Sequence, residues 1–326
     1  MAEYAGQAIV HALVAALVVE ALVRLWRVEI PDLRLAFRLL VLAFPLLVLP
    51  AFFLLAPARG EEWFRDRWAI FAGRRWGGLG VWGVAADRLG LILVSGVGVT
   101  LFLRDLLPFL AERFRGRALS SSMVPDGNEA VARELPKVAG AMGLAAPPVL
   151  LLEEPAPVLL CAGVLRPTLI LSRGTLEILD GRELSAALAH EVAHLARWDP
   201  MVGWLLIAAR AAMFFNPAVQ VAARAMIQEM EWRADDLAVA ATGDALAVAS
   251  GLVKLFRAGE VRRASGHRRI LWVASLAGGW ARVRAAAIER RCRRLLDQRS
   301  PEPAPLGRVR FALTAFALSL LLFFVV

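Results

Sequence analysis

Residues 186–200 have the sequence AALAHEVAHLARWDP, and the rest of the chain is best understood from this stretch. If it is helical, His190 and His194 lie one turn apart on the same face, because residues four positions apart in a helix are neighbours. Two neutral imidazoles at that spacing can bind one Zn²⁺ at about 2.0–2.1 Å. Glu191 lies about 100° round the helix from His190, where it can reach a water molecule beside the metal without being a ligand.

The residues on either side of this stretch predict a helix. Asp180 and Glu183 have the spacing of a capping box, which places the helix start there, and Pro200 should end the helix. His-Glu-x-x-His on a helix is the signature of zinc metallopeptidases, with Glu191 as the general base. The alternative is two histidines on an ordinary helix face, but two of only four histidines flank this glutamate. Asp199 either supports this helix or is exposed at its end.

A later acidic cluster supplies candidates for the third ligand, since catalytic zinc usually has three protein ligands and one open position. Residues 228–236 have the sequence QEMEWRADD. Glu231 and Asp235 share a helix face, so we expect Glu231 to be the third ligand and Asp235 to fix the tautomer of a ligand histidine. Glu229 and Asp236 lie on other faces and are weaker candidates. The alternative for the cluster is a solvated acidic face.

The composition indicates a membrane protein. Hydrophobic residues make up 59% of the 326 residues, and the mean hydropathy is +0.59, both too high for an ordinary soluble protein. Four apolar runs explain the excess: Ile9–Val23, Leu35–Pro57, Leu89–Leu103 and Arg310–Val326. The first and third reach the length that crosses a bilayer when their flanking residues are included, and the last is at the lower end of that length. We therefore predict a membrane module of about three transmembrane helices at 1–110 and a C-terminal transmembrane helix at 309–326.

Another apolar segment, near 201–226, is predicted not to cross the membrane. Arg210 lies in its middle, and Asn216-Pro217 interrupts it. A full crossing would also put the third zinc ligand on the wrong side of the bilayer. We predict a membrane-interfacial segment, a broken helix or a re-entrant hairpin within a cytoplasmic zinc domain at 111–308.

The sequence of the first part of this domain predicts a small α+β region. Residues 129–144 have helical spacing, capped near Asp126 or Asn128. Three short apolar runs bounded by prolines then indicate a sheet, followed by a short helix near 175–179. The three runs are Val149–Leu152, Val158–Leu165 and Thr168–Ser172.

The excess of positive over negative charge in the chain comes from one segment. Residues 257–310 contain fourteen arginines and four acidic residues, a balance of +10, whereas the whole chain carries +9. A basic stretch directly before an apolar tail is typical of the cytoplasmic side of a membrane protein. Its expected partners are therefore a lipid bilayer with anionic headgroups, and no nucleic acid is expected.

Four motifs together resemble the integral-membrane gluzincin peptidases: residues 190–194, 197–200, 215–217 and 231–235. One branch, the HtpX and CAAX-prenyl-endopeptidase group, shares the Glu-x-x-x-Asp element. The Arg-Trp-Asp-Pro and Phe-Asn-Pro elements, and the layout of three spans, a zinc domain and one more span, resemble more the antirepressor group typified by the β-lactam-sensor (Bla/Mec receptor) peptidases. The sequence ends at Val326 without their external penicillin-binding sensor, so antibiotic sensing is not expected.

The resemblance implies a mainly α membrane protein with a small α+β zinc-metallopeptidase (gluzincin) domain. It implies one Zn²⁺ per chain, and a zinc-activated water that attacks a peptide bond of a protein or peptide substrate. The strand around Leu160, Cys161 and Ala162 resembles the gluzincin edge strand and is a candidate for substrate binding, with a plain core strand as the equal alternative.

The expected function is that of a membrane-bound zinc endopeptidase at the cytoplasmic face of a bacterial inner membrane. The alternative is a membrane signalling or scaffold protein with a structural or degenerate zinc site. His267 and the cluster 290–294 are candidates for stabilising the oxyanion, with a lipid-facing basic surface as the stronger alternative. The sequence does not predict the oligomeric state.

Overall fold

The computed structural model describes residues 2–69, 80–81, 84–116, 123–125, 128–163, 166–265, 285–297 and 306–325. They form a mainly α protein with a small α+β part, as predicted. The chain divides into two compact units, which are described separately. The first contains Met1–Arg115, Trp204–Glu229 and Pro301–Val326, and the second contains Gly116–Gly203 and Met230–Ser300.

The first unit consists mainly of apolar helices. Helix α1 (Ala2–Leu25) is followed by α2 (Pro31–Ala43), which a π-helical turn (Phe44–Val48) joins to α3 (Leu49–Leu55). Pro45 and Pro50 lie at this junction, and a proline has no N–H to donate to the preceding turn, so the hydrogen-bond pattern shifts there.

The first unit continues through short elements to a long helix. A 3₁₀ turn (Pro57–Gly60) leads to α4 (Glu62–Arg67), and β1 (Gly80–Val81) pairs antiparallel with β2 (Val84–Ala85). Helix α5 (Ala86–Gly116) follows, and α13 (Gly307–Phe323) lies near the end of the chain.

Three helical segments of this unit are long and apolar enough to cross a membrane: Tyr4–Leu25, Pro31–Leu55 and Arg88–Leu106. They coincide with the first three apolar runs of the sequence. Helix α13 has 17 residues, the lower end of spanning length, so the fourth span stays a prediction.

The apolar segment near 201–226 is broken where the sequence predicts. Helix α9 (Asp199–Ala212) ends before a short turn, and α10 (Pro217–Thr242) begins directly after Asn216. Asn216 is fully buried. The turn packs so closely on α5 that a Cβ added at Gly98 would lie 2.2 Å from the carbonyl oxygen of Phe215. The turn between α9 and α10 is therefore packed against α5 within the first unit.

The charge in this broken segment is paired. Asp105 on α5 accepts hydrogen bonds from Arg210 Nη2 at 2.5 Å and from Arg224 Nε at 2.8 Å. All three side chains are largely buried, with 11–22% of their side-chain surface exposed. Arginines within an apolar unit need such a partner, because an unpaired buried charge is costly.

The second unit contains a four-stranded sheet in the order β3-β4-β6-β5. Its strands are β3 (Met123–Pro125), β4 (Val149–Leu152), β5 (Leu159–Ala162) and β6 (Thr168–Ser172). Strands β4 and β6 are parallel, and the other two pairs are antiparallel. Among the residues that the structure describes, strand β5 pairs with β6 alone and forms one edge of the sheet. The three predicted strands are present; β3 was not predicted, because three residues ending in proline carry no period-2 pattern.

The described part of the second unit also contains five helices and half of a sixth. They are α6 (Glu129–Ala141), α7 (Arg173–Ile178), α8 (Gly181–Ala196), α11 (Ala245–Ser265) and α12 (285–296), with the second half of α10. Helix α8 is central to the core of this unit: Leu188, Ala189 and Val192 are fully buried together with Leu169 and Leu171 of β6. The helix that carries the histidines is thus a rigid element.

Both ends of α8 have local causes. The Asp180 carboxylate accepts the N–H groups of Arg182 and Glu183, and Glu183 accepts the Asp180 N–H at 2.9 Å, which is the predicted capping box. At the other end the prediction was wrong. The helix stops at Ala196, because Trp198 takes a left-handed conformation (φ 58°), and Pro200 lies in the first turn of α9.

Glu183 also ties α8 to α11. Its carboxylate accepts hydrogen bonds from Ser250 Oγ and Lys254 Nζ, each at 2.6 Å, although only 4% of the residue is exposed. Burial tends to raise the pKa of Glu183, but Lys254, Ser250 and the Asp180 N–H together hold it below its ordinary value of 4.5. The carboxylate is therefore charged in the folded protein.

We expect Glu183→Gln to destabilise the second unit by about 1–2 kcal/mol at pH 7, because Lys254 loses its charged acceptor. A lowered pKa adds stability above the unfolded value of 4.5 that disappears as the pH falls through the folded value. The difference between wild type and variant should therefore shrink below about pH 4.5. The measurement is the melting temperature in detergent at several pH values, with the exposed Glu177→Gln as control. Equal melting of Glu183→Gln and wild type at pH 7 would contradict this prediction.

Candidate metal centre

Three helices of the second unit bring the predicted site residues together. Helix α8 carries His190, Glu191 and His194, and the second half of α10 carries Glu231 and Asp235. Helix α12 adds Arg291, which the sequence did not single out within its basic cluster.

The two imidazoles and one carboxylate form a compact cluster. The ring centroids of His190 and His194 are 4.8 Å apart. Nε2 of His190 lies 3.6 Å from Oε2 of Glu231, and Nε2 of His194 lies 3.8 Å from Oε1. One ligand atom from each of the three residues lies within 4.8 Å of the others. The structure therefore places Glu231 beside both histidines, as the sequence predicts.

Carboxylates lie behind both imidazoles. Asp235 Oδ1 is 3.1 Å from His190 Nδ1, and Asp199 Oδ2 is 2.8 Å from His194 Nδ1. The His194 contact is a hydrogen bond, whereas the His190 contact is an ion-pair distance only. In each ring Nε2 is the nitrogen that lies close to Glu231. Asp199 is 5% exposed and is also bound by Arg233. The sequence leaves the placement of Asp199 open. It gives no signal for Arg233, which lies on the same helix as Glu231.

This cluster fits a zinc ion. Two ligands of one zinc at about 2.0–2.1 Å each lie no more than about 4 Å apart. The two Nε2 atoms lie 3.6 and 3.8 Å from different oxygens of Glu231, and one ligand atom from each residue lies within 4.8 Å of the others, so small side-chain rotations would bring all three to ligand distance. Two imidazoles and one carboxylate are also a ligand set of catalytic zinc sites. A carboxylate beside Nδ1 of each imidazole matches the arrangement that orients zinc-ligating histidines.

The other two acids of the 228–236 cluster have partners elsewhere. Glu229 is 1% exposed and forms ion pairs with Arg34 and Arg38 in the first unit. Asp236 accepts a hydrogen bond from Arg294 Nη2 at 2.6 Å. Both are about 100° or more round the helix from Glu231, so the expectation that they are weaker candidates agrees with the structure.

Glu191 has the environment of a general base. Its Oε2 accepts a hydrogen bond from the Cys161 N–H at 3.0 Å. Burial is the main cause that raises the pKa of Glu191, with a further contribution from Glu231, while the two histidines and the Cys161 N–H oppose it. A raised carboxyl pKa brings the group nearer the pH at which it must exchange protons.

The charges of the ligand groups are set by their neighbours. Burial tends to lower the pKa of His190, but Asp235 and Glu231 outweigh it and raise the pKa to about 10. Burial tends to raise the pKa of Glu231, but His190 and Arg291 bring it to about 2. Glu231 is thus a carboxylate, and 35% of its side chain is exposed, which leaves it accessible from outside the core.

The candidate substrate strand lies next to this cluster. Leu160, Cys161 and Ala162 belong to β5, the edge strand, and the backbone of Cys161 contacts Glu191 directly. Leu160 is 41% exposed. Burial, and secondarily Glu191, raises the pKa of the Cys161 thiol to about 12, which makes this cysteine a poor nucleophile at neutral pH.

The candidates for stabilising the oxyanion have different outcomes. His267 lies outside the described residues. Within the cluster 290–294, Arg291 binds Glu231 and Asp235, whereas Arg294 binds Asp236 and the Trp232 carbonyl. Both arginines are therefore paired with carboxylates of α10.

The family profile described as BlaR1 peptidase M56 matches residues 81–247. The matched segment is slightly more than half of the chain and includes the two histidines, Glu191, Glu231 and Asp235. None of the curated protein sequences matches the chain. The match agrees with the predicted resemblance to the β-lactam-sensor group rather than to the HtpX group. The chain therefore belongs to the BlaR1 peptidase M56 family of membrane metallopeptidases.

Proposed function

We propose that the protein is a zinc endopeptidase that hydrolyses peptide bonds of a protein substrate at the cytoplasmic face of a bacterial inner membrane. The observation that carries this proposal is the convergence of two imidazoles and the Glu231 carboxylate beside Glu191. His190, His194 and Glu231 would hold the metal. When bound, zinc polarises the scissile carbonyl and makes a neighbouring water more acidic.

Glu191 would do the proton transfer. It follows His190 directly on α8 but does not belong to the ligand cluster, so its carboxylate is free to act on water. It would accept a proton from the attacking water and deliver it to the departing amine. The Cys161 N–H fixes the carboxylate in place at 3.0 Å, which limits the number of conformations of the base.

The edge strand would position the substrate. Because β5 pairs with β6 on one side only, an extended peptide could add to its other side through backbone hydrogen bonds. The same strand donates a backbone N–H to Glu191. A peptide bound along Leu160–Ala162 would therefore run past the base.

The membrane assignment rests on composition and on helix length. Three helical segments can cross a bilayer, and the net charge of +10 in 257–310 suits contact with anionic headgroups on the cytoplasmic side. A structural zinc site is the competing function. It would need a fourth protein ligand, and the ligand cluster found among the described residues has three members.

We expect Glu191→Gln to keep zinc and to lower cleavage of fluorescein-labelled casein by about 10²–10⁴-fold, because the amide cannot accept the proton. Zinc content by mass spectrometry and cleavage in detergent are measured on the same preparation. The exposed Glu177→Gln, on the neighbouring helix α7, serves as control and should match wild type in both. Undiminished cleavage by Glu191→Gln would favour the structural site.

Glu231→Ala should remove most of the zinc, since it takes away one of three ligands. The wild-type chain is expected to hold about one zinc. Asp236→Ala is the matched control, because Asp236 lies on the same helix but binds Arg294, and it should keep wild-type zinc content. Retention of zinc by Glu231→Ala after dialysis against a weak chelator would remove Glu231 from the ligand set.

A further inference from the structure

Helix α12 brings one arginine into the ligand cluster. Nε of Arg291 donates to Oδ2 of Asp235 at 2.8 Å, and Nη2 donates to Oδ1 at 2.6 Å. Two parallel hydrogen bonds of this kind fix a carboxylate in both position and rotation. Only 11% of the Arg291 side chain and none of the Asp235 side chain is exposed, so this is a buried contact.

The remaining nitrogen of the same guanidinium binds the candidate ligand. Nη1 of Arg291 donates to Oε2 of Glu231 at 2.7 Å. That same oxygen lies 3.6 Å from His190 Nε2, and the opposite oxygen, Oε1, lies 3.8 Å from His194 Nε2. Nη2 also lies 3.3 Å from His190 Nε2, the longest of these contacts. One side chain thus touches a candidate ligand carboxylate, a candidate ligand imidazole and the carboxylate behind that imidazole.

Neighbouring arginines on α12 behave differently. Arg293 pairs with Glu289 on the same helix, and both side chains are mostly exposed, at 73% and 66%. Arg294 binds Asp236 and the Trp232 carbonyl. The contact of Arg291 with the cluster is therefore not a general property of this basic helix. Helix α12 also lies beyond residues 81–247, the part that the family profile matches.

We propose that Arg291 is a positioning residue of the metal centre, which holds Asp235 against His190 and holds the Glu231 carboxylate between the two imidazoles. This inference rests on the proposed function, because it assigns a role at the same site. Asp235 and Glu231 are like charges one turn apart on α10, and such a pair repels. The guanidinium between them offsets that repulsion and fixes both carboxylates before a metal binds.

The cost of losing such a contact is known in magnitude. Groups that orient metal ligands typically change metal affinity by about 10–100-fold when they are mutated. An effect of the opposite sign on zinc affinity would indicate a different role for Arg291. If the guanidinium competes with the metal for His190 Nε2 and Glu231, its removal should strengthen binding, because a positive charge beside the cation is lost.

The test compares Arg291→Gln, Arg291→Lys and the matched control Arg294→Gln in the full-length protein in detergent. Zinc affinity is measured by competition with a chromophoric chelator, and the ligand geometry by the visible spectrum of the Co²⁺-substituted protein. We expect Arg291→Gln to weaken zinc binding by about 10–100-fold and to change the Co²⁺ spectrum. Arg291→Lys keeps the charge but not the two-point contact and should be intermediate, and Arg294→Gln should match wild type.

The other possible results separate the role of Arg291 from the proposed function of the site. Unchanged or tighter zinc binding by Arg291→Gln, with zinc bound normally by the wild type, would overturn the role of Arg291 alone. A wild-type protein that binds no zinc would overturn the proposed function and this inference with it. If Arg291→Gln does not fold, Arg291→Lys decides, and wild-type zinc affinity and an unchanged Co²⁺ spectrum in that variant would overturn the inference.

Discussion

The site depends on the approach of α10 to α8, which puts the Glu231 carboxylate within 3.8 Å of two imidazoles. The spacing of His190 and His194 is a property of one helix, whereas the place of Glu231 requires tertiary packing. That packing uses small side chains: Ala234 and Ala238 of α10 are at most 1% exposed. Ala238 shares a buried cluster with Leu188 and Val192 of α8. This shared cluster holds the two helices together and keeps Glu231 within reach of the two histidines.

Charge balance around the cluster gives an independent reason to expect a divalent cation. Six side chains meet there: the carboxylates of Glu191, Glu231, Asp235 and Asp199, and the guanidiniums of Arg233 and Arg291. Metal binding requires neutral imidazoles, and with both rings neutral the four carboxylates and two guanidiniums leave a balance of −2, which a divalent cation would offset. Burial tends to lower the pKa of His190, but two of these carboxylates, Asp235 and Glu231, raise it to about 10, so they favour a positive charge beside them.

Local sequence patterns predict much of the fold and most of the residues of the candidate site. The capping box at Asp180, the break at Asn216 and three strands follow from residue types at short separations. Helical periodicity was enough to prefer Glu231 over Glu229. What the sequence lacked were contacts between distant segments: Arg291 reaches Glu231 across 60 positions. The left-handed Trp198 was also unpredictable, since that conformation is unusual for a bulky residue.

The contact between Glu191 and β5 links the base to the sheet edge. A general base must be buried enough for its pKa to rise, yet it must stay deprotonated to accept a proton. Burial raises the pKa of Glu191, and the N–H of Cys161 opposes that rise by stabilising the carboxylate. Because this N–H belongs to the strand that would bind the substrate, a peptide that added to β5 would reach a base whose position is already fixed. The edge strand would then set both the path of the substrate and the placement of Glu191, and a shift of β5 would disturb both together.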